Sequence, residues 1–323
     1  MGALLSGSRV LVTGGAGFIG SHVVDSLLDR GAAVTVADNF ATGRIDNLAG
    51  VADRISIERL NLAEDDVAPA LVRGKFDHII HAAGNANIPA SVSDPLRDLN
   101  DNAVATLRLL EAVRTASPST SMVFISSATV YAEGSEGPMS EDHPRGPISP
   151  YGLSKLASET YVAMYAHLYG LHTASVRIFS VFGPRLRKQV VWDFMKRLAD
   201  NPDELVIHGD GTEHRNPSHV QNIVDAILLV AERAPMSGDA YNVGSPDSVS
   251  INELARDIAN AMGLNPKISN TGQRGAGHAR TWLADITHLE SLGYRPAVEY
   301  LDGLAKTVEW FKSDRELRAA GEA

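Results

Sequence analysis

Residues 9–38, RVLVTGGAGFIGSHVVDSLLDRGAAVTVAD, decide the fold. Val10-Leu11-Val12 is an apolar, β-branched run of strand type. It feeds into the cluster Thr13-Gly14-Gly15-Ala16-Gly17-Phe18-Ile19-Gly20. From Ser21 to Arg30, Val23, Val24, Leu27 and Leu28 recur on one face at helical spacing, and Gly31 supplies the stop. Ala33 to Ala37 forms a second strand-like run that ends at Asp38. Gly15, Gly17 and Gly20 satisfy G-x-G-x-x-G, and the order strand, glycines, helix, strand, acid turns that motif into a dinucleotide-binding hypothesis. Glycine is needed because a side chain would hold the backbone away from a pyrophosphate, whose charge rests on free N–H groups around Gly14, Gly17, Phe18, Ile19 and Gly20 at the helix start. Asp38 lies 18 residues after Gly20. There a carboxylate accepts hydrogen bonds from a ribose diol and repels a 2′-phosphate, which favours NAD over NADP.

Outward from this unit the alternation continues. His78 to Ala83, Met122 to Ser126 and Thr173 to Phe179 are apolar runs of strand length, separated by helical stretches at Asn102 to Thr115 and Tyr151 to Tyr169. Strands that alternate with helices need crossovers, so the fold class is α/β, a Rossmann-type doubly wound parallel sheet. From about Gly183 turns separate the helical runs Trp192 to Ala199, Gln221 to Arg233 and Ile251 to Met262. The expected division is a dinucleotide-binding domain over 1–180, with late strands contributed from the C-terminal half, and a smaller interleaved α/β lobe over 181–323.

Composition agrees with this size. At about 150 residues per unit, 323 residues make roughly two. The chain is 44% apolar and 21% charged, enough apolar material for a continuous core. A net charge of −10, unrelieved by any Lys/Arg run, makes nucleic acid and anionic membranes poor partners. Cysteine is absent, which excludes disulfides, thiolate nucleophiles and Cys-ligated zinc. None of the 11 histidines has metal-ligand spacing, so no metal is expected. No apolar stretch approaches the roughly 18 residues that span a bilayer, and the segment before the first strand is too short for a signal peptide. A cytoplasmic location is therefore expected.

A second constellation carries chemistry. Tyr151-Gly152-Leu153-Ser154-Lys155 places Tyr and Lys at i and i+4 on one helical face. An ammonium beside a phenol favours the phenolate, and an oxidised nicotinamide adds positive charge, so Tyr151 is expected to act as a general base with a lowered pKa. Ser126-Ser127, at the end of a strand and so at the ligand edge of the sheet, supplies a hydrogen bond to the same substrate oxygen.

With these residues the chain resembles the extended short-chain dehydrogenase/reductase family of NAD-dependent nucleotide-sugar epimerases and dehydratases, and is most similar to its UDP-glucose (UDP-galactose) 4-epimerase branch. The resemblance runs in order through Thr13 to Gly20, Asp38-Asn39-Phe40, His81-Ala82-Ala83-Gly84, Asn102 with Thr106, Ser126 to Tyr131, Tyr151 with Lys155 and Arg177 to Arg185. It continues through His208 to Arg215, Tyr241 to Ser245 and Trp282 to Asp285. It implies that Tyr151 is the catalytic base, that Lys155 holds it and the nicotinamide ribose, and that Ser127 is the hydroxyl partner of the sugar oxygen. It further implies that Asp38 and Asn39 meet the adenosine ribose, that Asn61 and Leu62 flank the adenine, and that Ala82, Ala83 and Asn102 line the cofactor site. Arg215 and Arg274 resemble the arginines that hold the substrate diphosphate, a role suited to bidentate forks; Arg274 stands one residue further from Gly277-His278 than the family's spacing. The partner implied is a nucleotide-diphosphate sugar, and a homodimer is implied through the helices Asn102 to Thr115 and Tyr151 to Tyr169.

The departures from the family are informative. Its dehydratases place an Asp-Glu pair directly after the active-site Ser or Thr, and its decarboxylases keep a Glu two residues after it; here those positions are Ala128 and Thr129. The resemblance then leaves oxidation and re-reduction, hence inversion at C4 through a 4-keto intermediate. The alternatives are a nucleotide-sugar 4-ketoreductase or other oxidoreductase with net redox change, and a non-catalytic dinucleotide sensor, which the presence of Tyr151 and Lys155 disfavours. Ser180 replaces a usual Asn and resembles epimerases acting on uronic acids. Arg187 would then face a carboxylate, or serve only as a loop charge. Trp282 either limits the C2 substituent or is a core residue. The sugar and the nucleotide base stay open, with uronic acids and heptoses beside hexoses.

Overall fold

The computed structural model describes residues 5–132, 137–272 and 281–321. The opening segment folds as strand β1 (Arg9–Thr13), helix α1 (Phe18–Asp29) and strand β2 (Ala33–Asp38). Strand β3 (Ile55–Arg59), helix α2 (Ala68–Gly74) and strand β4 (His78–His81) follow. Two short helices, α3 (Ile88–Ser93) and α4 (Pro95–Leu99), run into one π-helical turn at Asn100–Val104 and then α5 (Ala105–Ala116). Strand β5 (Ser121–Ser127), helix α6 (Pro150–Tyr169) and strand β6 (Thr173–Ile178) come next.

The second half contains β7 (Ser180–Phe182), α7 (Gln189–Asp200), β8 (Glu204–Ile207), β9 (His214–Arg215), β10 (Pro217–His219) and α8 (Val220–Arg233). It continues with β11 (Ser237–Val243), β12 (Val249–Ser250), α9 (Ile251–Met262), β13 (Lys267–Asn270), β14 (Thr281–Trp282), α10 (Thr287–Ser291) and α11 (Tyr300–Gly321).

Seven strands form one sheet in the order β11-β6-β5-β4-β1-β2-β3, all parallel. Parallel strands covered on both faces need apolar residues at successive positions, and Val10, Leu11 and Val12 are all buried. On one face Val10, Val12 and Val36 pack against Val23 and Leu27 of α1 and Ile223 and Ile227 of α8. On the other, Leu11, Ile79 and Phe124 pack against Leu71 of α2, Leu109 of α5 and Val162 of α6. Strand β11 and helix α8 thus join this core from the C-terminal half of the chain. A third cluster joins Phe194, Leu205, Ile258 and Phe311 from α7, β8, α9 and α11. The sheet order reverses direction between β1 and β4, and the crevice at such a point, beyond the strand C-termini, is where ligands bind in open α/β sheets.

Two departures from the sequence reading bear on the site. The fourth strand stops at His81, not Ala83, so the backbone of Ala82 and Ala83 turns away to edge the crevice. The helix expected from Asn102 begins with a π turn, a local irregularity often found at functional sites.

Strand β6 also buries a charge. Arg177 is fully enclosed, and its Nε donates to Oε1 and Oε2 of Glu159 on α6 at 3.1 and 3.0 Å. The Ser126 hydroxyl of β5 donates to Glu159 Oε2 at 2.7 Å. Arg177 Nη1 donates to Tyr131 Oη at 2.6 Å, and Tyr131 Oη donates to Asn242 Oδ1 of β11 at 2.7 Å. Cutting a buried pair from one side leaves the other charge uncompensated. Glu159→Gln is expected to cost about 3–5 kcal/mol of stability, read from the shift in a urea-unfolding midpoint.

Candidate active site

The glycine turn is shaped by close backbone approach. Gly14 has φ +68°, and a Cβ there would stand 2.7 Å from the Ala83 backbone. A Cβ on Gly20 would stand 2.2 Å from the Gly14 carbonyl oxygen. These positions bring β1, the start of α1 and the end of β4 closer together than any side chain allows. Gly17 caps α1 without a side-chain hydrogen bond, leaving the first helical N–H groups for an anion. Phe18 and Ile19 pack their side chains against the core, so what they offer the crevice is backbone.

Asp38 is buried at the end of β2. Its Oδ2 accepts from Ala16 N–H at 2.9 Å and its Oδ1 from Phe40 N–H at 2.8 Å. The carboxylate therefore ties the glycine turn to the second strand while it edges the crevice. Gly14, Gly17, Asp38, Asn39, Asn61, Leu62, Ala82 and Ala83 line one continuous cleft. Asn61 Oδ1 accepts from Ala63 N–H at 3.2 Å, and Asn39 Oδ1 from Ala41 N–H at 3.0 Å. The glycine cradle, the uncapped helix start and the acid that repels a 2′-phosphate all fit a dinucleotide of the NAD type.

Behind the cleft, His81 is enclosed between Thr13 Oγ1 at 2.7 Å and Thr106 Oγ1 at 3.0 Å. Burial takes its pKa down to about 3, with the Lys155 charge acting in the same direction. It is a neutral strut between β1 and α5. Among the described residues no group of histidine and acidic side chains is arranged to hold a metal ion. His219 caps α8, its Nδ1 accepting from Gln221 N–H at 3.2 Å.

Helix α6 sets the proposed catalytic pair. Ser149 caps it, accepting from Gly152 N–H at 3.1 Å, with Pro150 in the first turn. A Cβ on Gly152 would lie 2.4 Å from the Thr129 carbonyl oxygen, so this turn of the helix rests directly on the segment after β5. Tyr151 and Lys155 are both buried. The Tyr151 phenol is hydrogen-bonded to the Ser127 side chain. Ser127 Oγ in turn accepts from Thr129 N–H at 3.2 Å and Thr129 Oγ1 at 3.0 Å. With both of these acceptor roles filled, its own proton is directed away from Thr129, toward the phenol. Asn102 sits in the π turn beside Gly84 and Lys155. The structure therefore brings Ser127, Tyr151, Lys155 and Asn102 together next to the cleft.

The electrostatics correct one expectation. Burial pushes the Tyr151 phenol up to about 12, against the Ser127 hydrogen bond and with Asp98 adding to the rise. Burial takes Lys155 down to about 8, against the charge of Asp98. The i, i+4 spacing does put both residues on one face, but Lys155 Nζ donates to the Ile125 carbonyl at 3.0 Å. Desolvation, not the neighbouring ammonium, dominates the phenol. Asp98 was not singled out in the sequence. Its signal was a carboxylate four residues before Asn102, one helical turn away.

On the substrate side, Ser180 starts β7, opposite Pro217 of β10. Arg215 on β9 faces Trp282 on β14 in register, and burial lowers its pKa against the charge of Glu213. Trp282 meets Phe179 edge-on at 6.5 Å and packs on the cluster of Ala128, Tyr131 and Met139. Arg187 corrects another expectation. Its Nη2 reaches Asp314 Oδ1 on α11 at 2.5 Å, and the guanidinium lies 5.0 Å from the Trp310 ring. The carboxylate it meets is the protein's own. Arg274 and His278 lie outside the described residues.

With this geometry in hand, comparison with known proteins is specific. The model of the family described as NAD dependent epimerase/dehydratase family matches residues 10–244. The chain is 35% identical over 311 residues to the UDP-glucose 4-epimerase of Mycolicibacterium smegmatis, covering 94% of this chain and 99% of that one. It is 31% identical over 321 residues to a dTDP-glucose 4,6-dehydratase of Actinoplanes, covering 95% and 98%. A solved UDP-glucose 4-epimerase of Thermus thermophilus in complex with NAD superposes with a TM-score of 0.86 at 33% identity, covering 94% of this chain and 99% of that one. The nucleotide-sugar enzymes among these relatives carry different reactions on one framework. The chain belongs to the NAD dependent epimerase/dehydratase family, and its cofactor is NAD.

Proposed function

We propose that the protein is a nucleotide-diphosphate-sugar 4-epimerase, inverting C4 through a transient 4-keto sugar. The observation that carries this reading is the convergence of Ser127, Tyr151 and Lys155 at the edge of the dinucleotide cleft, with Ala128 and Thr129 where elimination or decarboxylation needs carboxylates. Thr129 is committed to Ser127 by two hydrogen bonds, so that position orients the hydroxyl and holds no acid.

NAD, held along the glycine turn, Asp38 and Asn102, would supply a reversible hydride acceptor and, when oxidised, a positive charge that opposes the effect of burial on the phenol. Tyr151 removes the C4 hydroxyl proton and gives it back at the end of the cycle. Ser127 donates to the same oxygen in both directions. Lys155 holds its charge behind the phenol and would also hold the nicotinamide ribose. Arg215, with Arg274, holds the diphosphate, leaving the sugar ring free to present its opposite face. Trp282, packed beside the Tyr131 cluster, bounds the sugar pocket. Incubation with a panel of UDP-, GDP- and ADP-linked sugars, without added NAD, is expected to yield C4 epimers by NMR and no net NADH. Stoichiometric consumption of reduced cofactor would mark a reductase, and loss of water or carbon dioxide would mark one of the other family reactions.

Tyr151→Phe removes only the phenolic oxygen. General-base catalysis is worth roughly 10²–10⁴-fold, so turnover is expected to fall by at least that factor. NAD recovered from the denatured protein is expected to stay at the wild-type ratio.

The same reading includes a homodimer. Leu153, Tyr161 and Leu168 stand exposed along α6, at spacings that share one helical face, and a stripe of this kind suits a self-complementary contact. Light scattering at micromolar concentration is expected to give twice the 34.5 kDa chain mass, and Leu168→Asp to return the monomer.

A further inference from the structure

Lys155 is an ammonium in a place where ammonium is hard to keep. Its Nζ donates to the Ile125 carbonyl at 3.0 Å and stands 4.8 Å from the centre of the Phe124 ring, and both partners are uncharged. A buried amine without a counter-charge gives up its proton. The packing of α4 against α6 brings one carboxylate into the surroundings of this ammonium, beyond ion-pair contact but near enough for its charge to act on Lys155. Asp98 is 1% exposed. Its Oδ1 accepts from Asn102 Nδ2 at 3.0 Å, and its Oδ2 is buried without a hydrogen-bond partner. Burial raises the pKa of this carboxylate, and from α6 the Ser154 hydroxyl and the Lys155 charge oppose that rise and favour its charged form.

Asn102 locks the arrangement. The same Nδ2 donates to the carbonyls of Asp98 and Asn85 at 3.1 and 3.2 Å. A Cβ on Gly84, where φ is +145°, would stand 2.5 Å from Asn102 Oδ1 and 3.4 Å from Lys155 Nζ. Only a bare glycine lets the amide and the ammonium come together there.

We propose that Asp98 is a positioning residue whose buried carboxylate is the counter-ion that keeps the Lys155 ammonium charged beside the Tyr151 phenol. The other groups around Lys155 do not replace it. His81, from β4, is neutral. Glu159, one turn further along α6, is committed to Arg177. Asp101 is paired with Arg97 at 3.5 Å and acts on Asp98 by repulsion. Tyr151 is neutral until it ionises, and Asp98 opposes that ionisation. Removing the Asp98 charge therefore lowers the pKa of Lys155, and through the direct field lowers that of Tyr151 as well.

The role of Lys155 in turnover rests on the proposed epimerase reading, but its charge state does not, so the test is a titration. In protein labelled with ¹³C at lysine Cε, the Lys155 resonance is identified by its loss in Lys155→Met. Its titration midpoint is expected to fall by about one pH unit or more in Asp98→Asn and to stay near wild type in Asp98→Glu. Asp98→Ser serves if the amide is not tolerated. An unmoved midpoint in the folded variant overturns the proposal, whatever the enzyme's activity. In the epimerase assay, both limbs of the kcat profile are expected to move to lower pH in Asp98→Asn; a drop in amplitude with both limbs in place is the structural outcome and also overturns it. A wild-type protein that epimerises no sugar, with the lysine midpoint still shifted by Asp98→Asn, overturns the reaction assignment and supports the counter-ion.

Discussion

The buried pair of Arg177 and Glu159 fixes how the sheet and helix α6 meet, and the site depends on that fit. A guanidinium in the middle of a covered parallel strand is stable only with its hydrogen bonds satisfied. Glu159, Tyr131 and the Glu141 carbonyl satisfy them, and three strands and one helix are thereby held in one register. Tyr151, Lys155 and Glu159 follow at i, i+4 and i+8, a single stripe along α6. The same stripe that anchors the helix through its second turn from the site carries the reactive groups at its start. Ser126, which donates to Glu159, is the residue next to Ser127. An error in the anchor would be transmitted to the hydroxyl and the phenol together, through the strand and the helix that carry them.

A second constraint is backbone proximity. Gly14, Gly20, Gly84 and Gly152 each occupy a place where a Cβ would meet another atom at 2.2–2.7 Å. Gly14 and Gly20 draw β1 and α1 against the end of β4 and so make the dinucleotide cleft. Gly84 and Gly152 draw α6 and the π turn against the ends of β4 and β5 and so make the catalytic corner. Both sets act at the C-terminal edge of the sheet around its point of reversal, where the diverging loops leave room for a ligand. The cleft is thus a consequence of where side chains are missing as much as of which ones are present.

Much of this was legible in the chain. The first βαβ unit carried period and punctuation together, and Asp38 closes it where the spacing placed it. The i, i+4 relation of Tyr151 and Lys155 is visible in any helical reading of α6. Other features carried weaker signals. Strand β3 is an edge strand whose Ile57 is exposed, so it lacks the continuous apolar run of the central strands. The π turn leaves no mark in periodicity; within it the Asn102 amide donates to Asp98 and to the Asn85 carbonyl. Arg187 looked free for a ligand because its partner, Asp314, lies 127 residues away in the chain. Long-range ion pairs have no local signature, and this one decides whether an arginine is available.

The phenol shows why proximity in sequence is a poor guide to acidity. Spacing places an ammonium one turn from Tyr151, and Coulomb attraction alone would then lower the phenol's pKa. The same packing that brings the two groups together also removes water from both, and desolvation disfavours phenolate and ammonium alike. In this protein desolvation wins on both groups, to about 12 and about 8. A pKa of about 8 still leaves Lys155 largely charged at neutral pH, while one of about 12 leaves the phenol neutral despite that charge. A corner built this way is quiet until further positive charge joins that of the lysine. On the proposed reading, that makes ionisation of the base contingent on the oxidised cofactor being in place, and ties proton removal from the sugar to the state in which a hydride can be accepted.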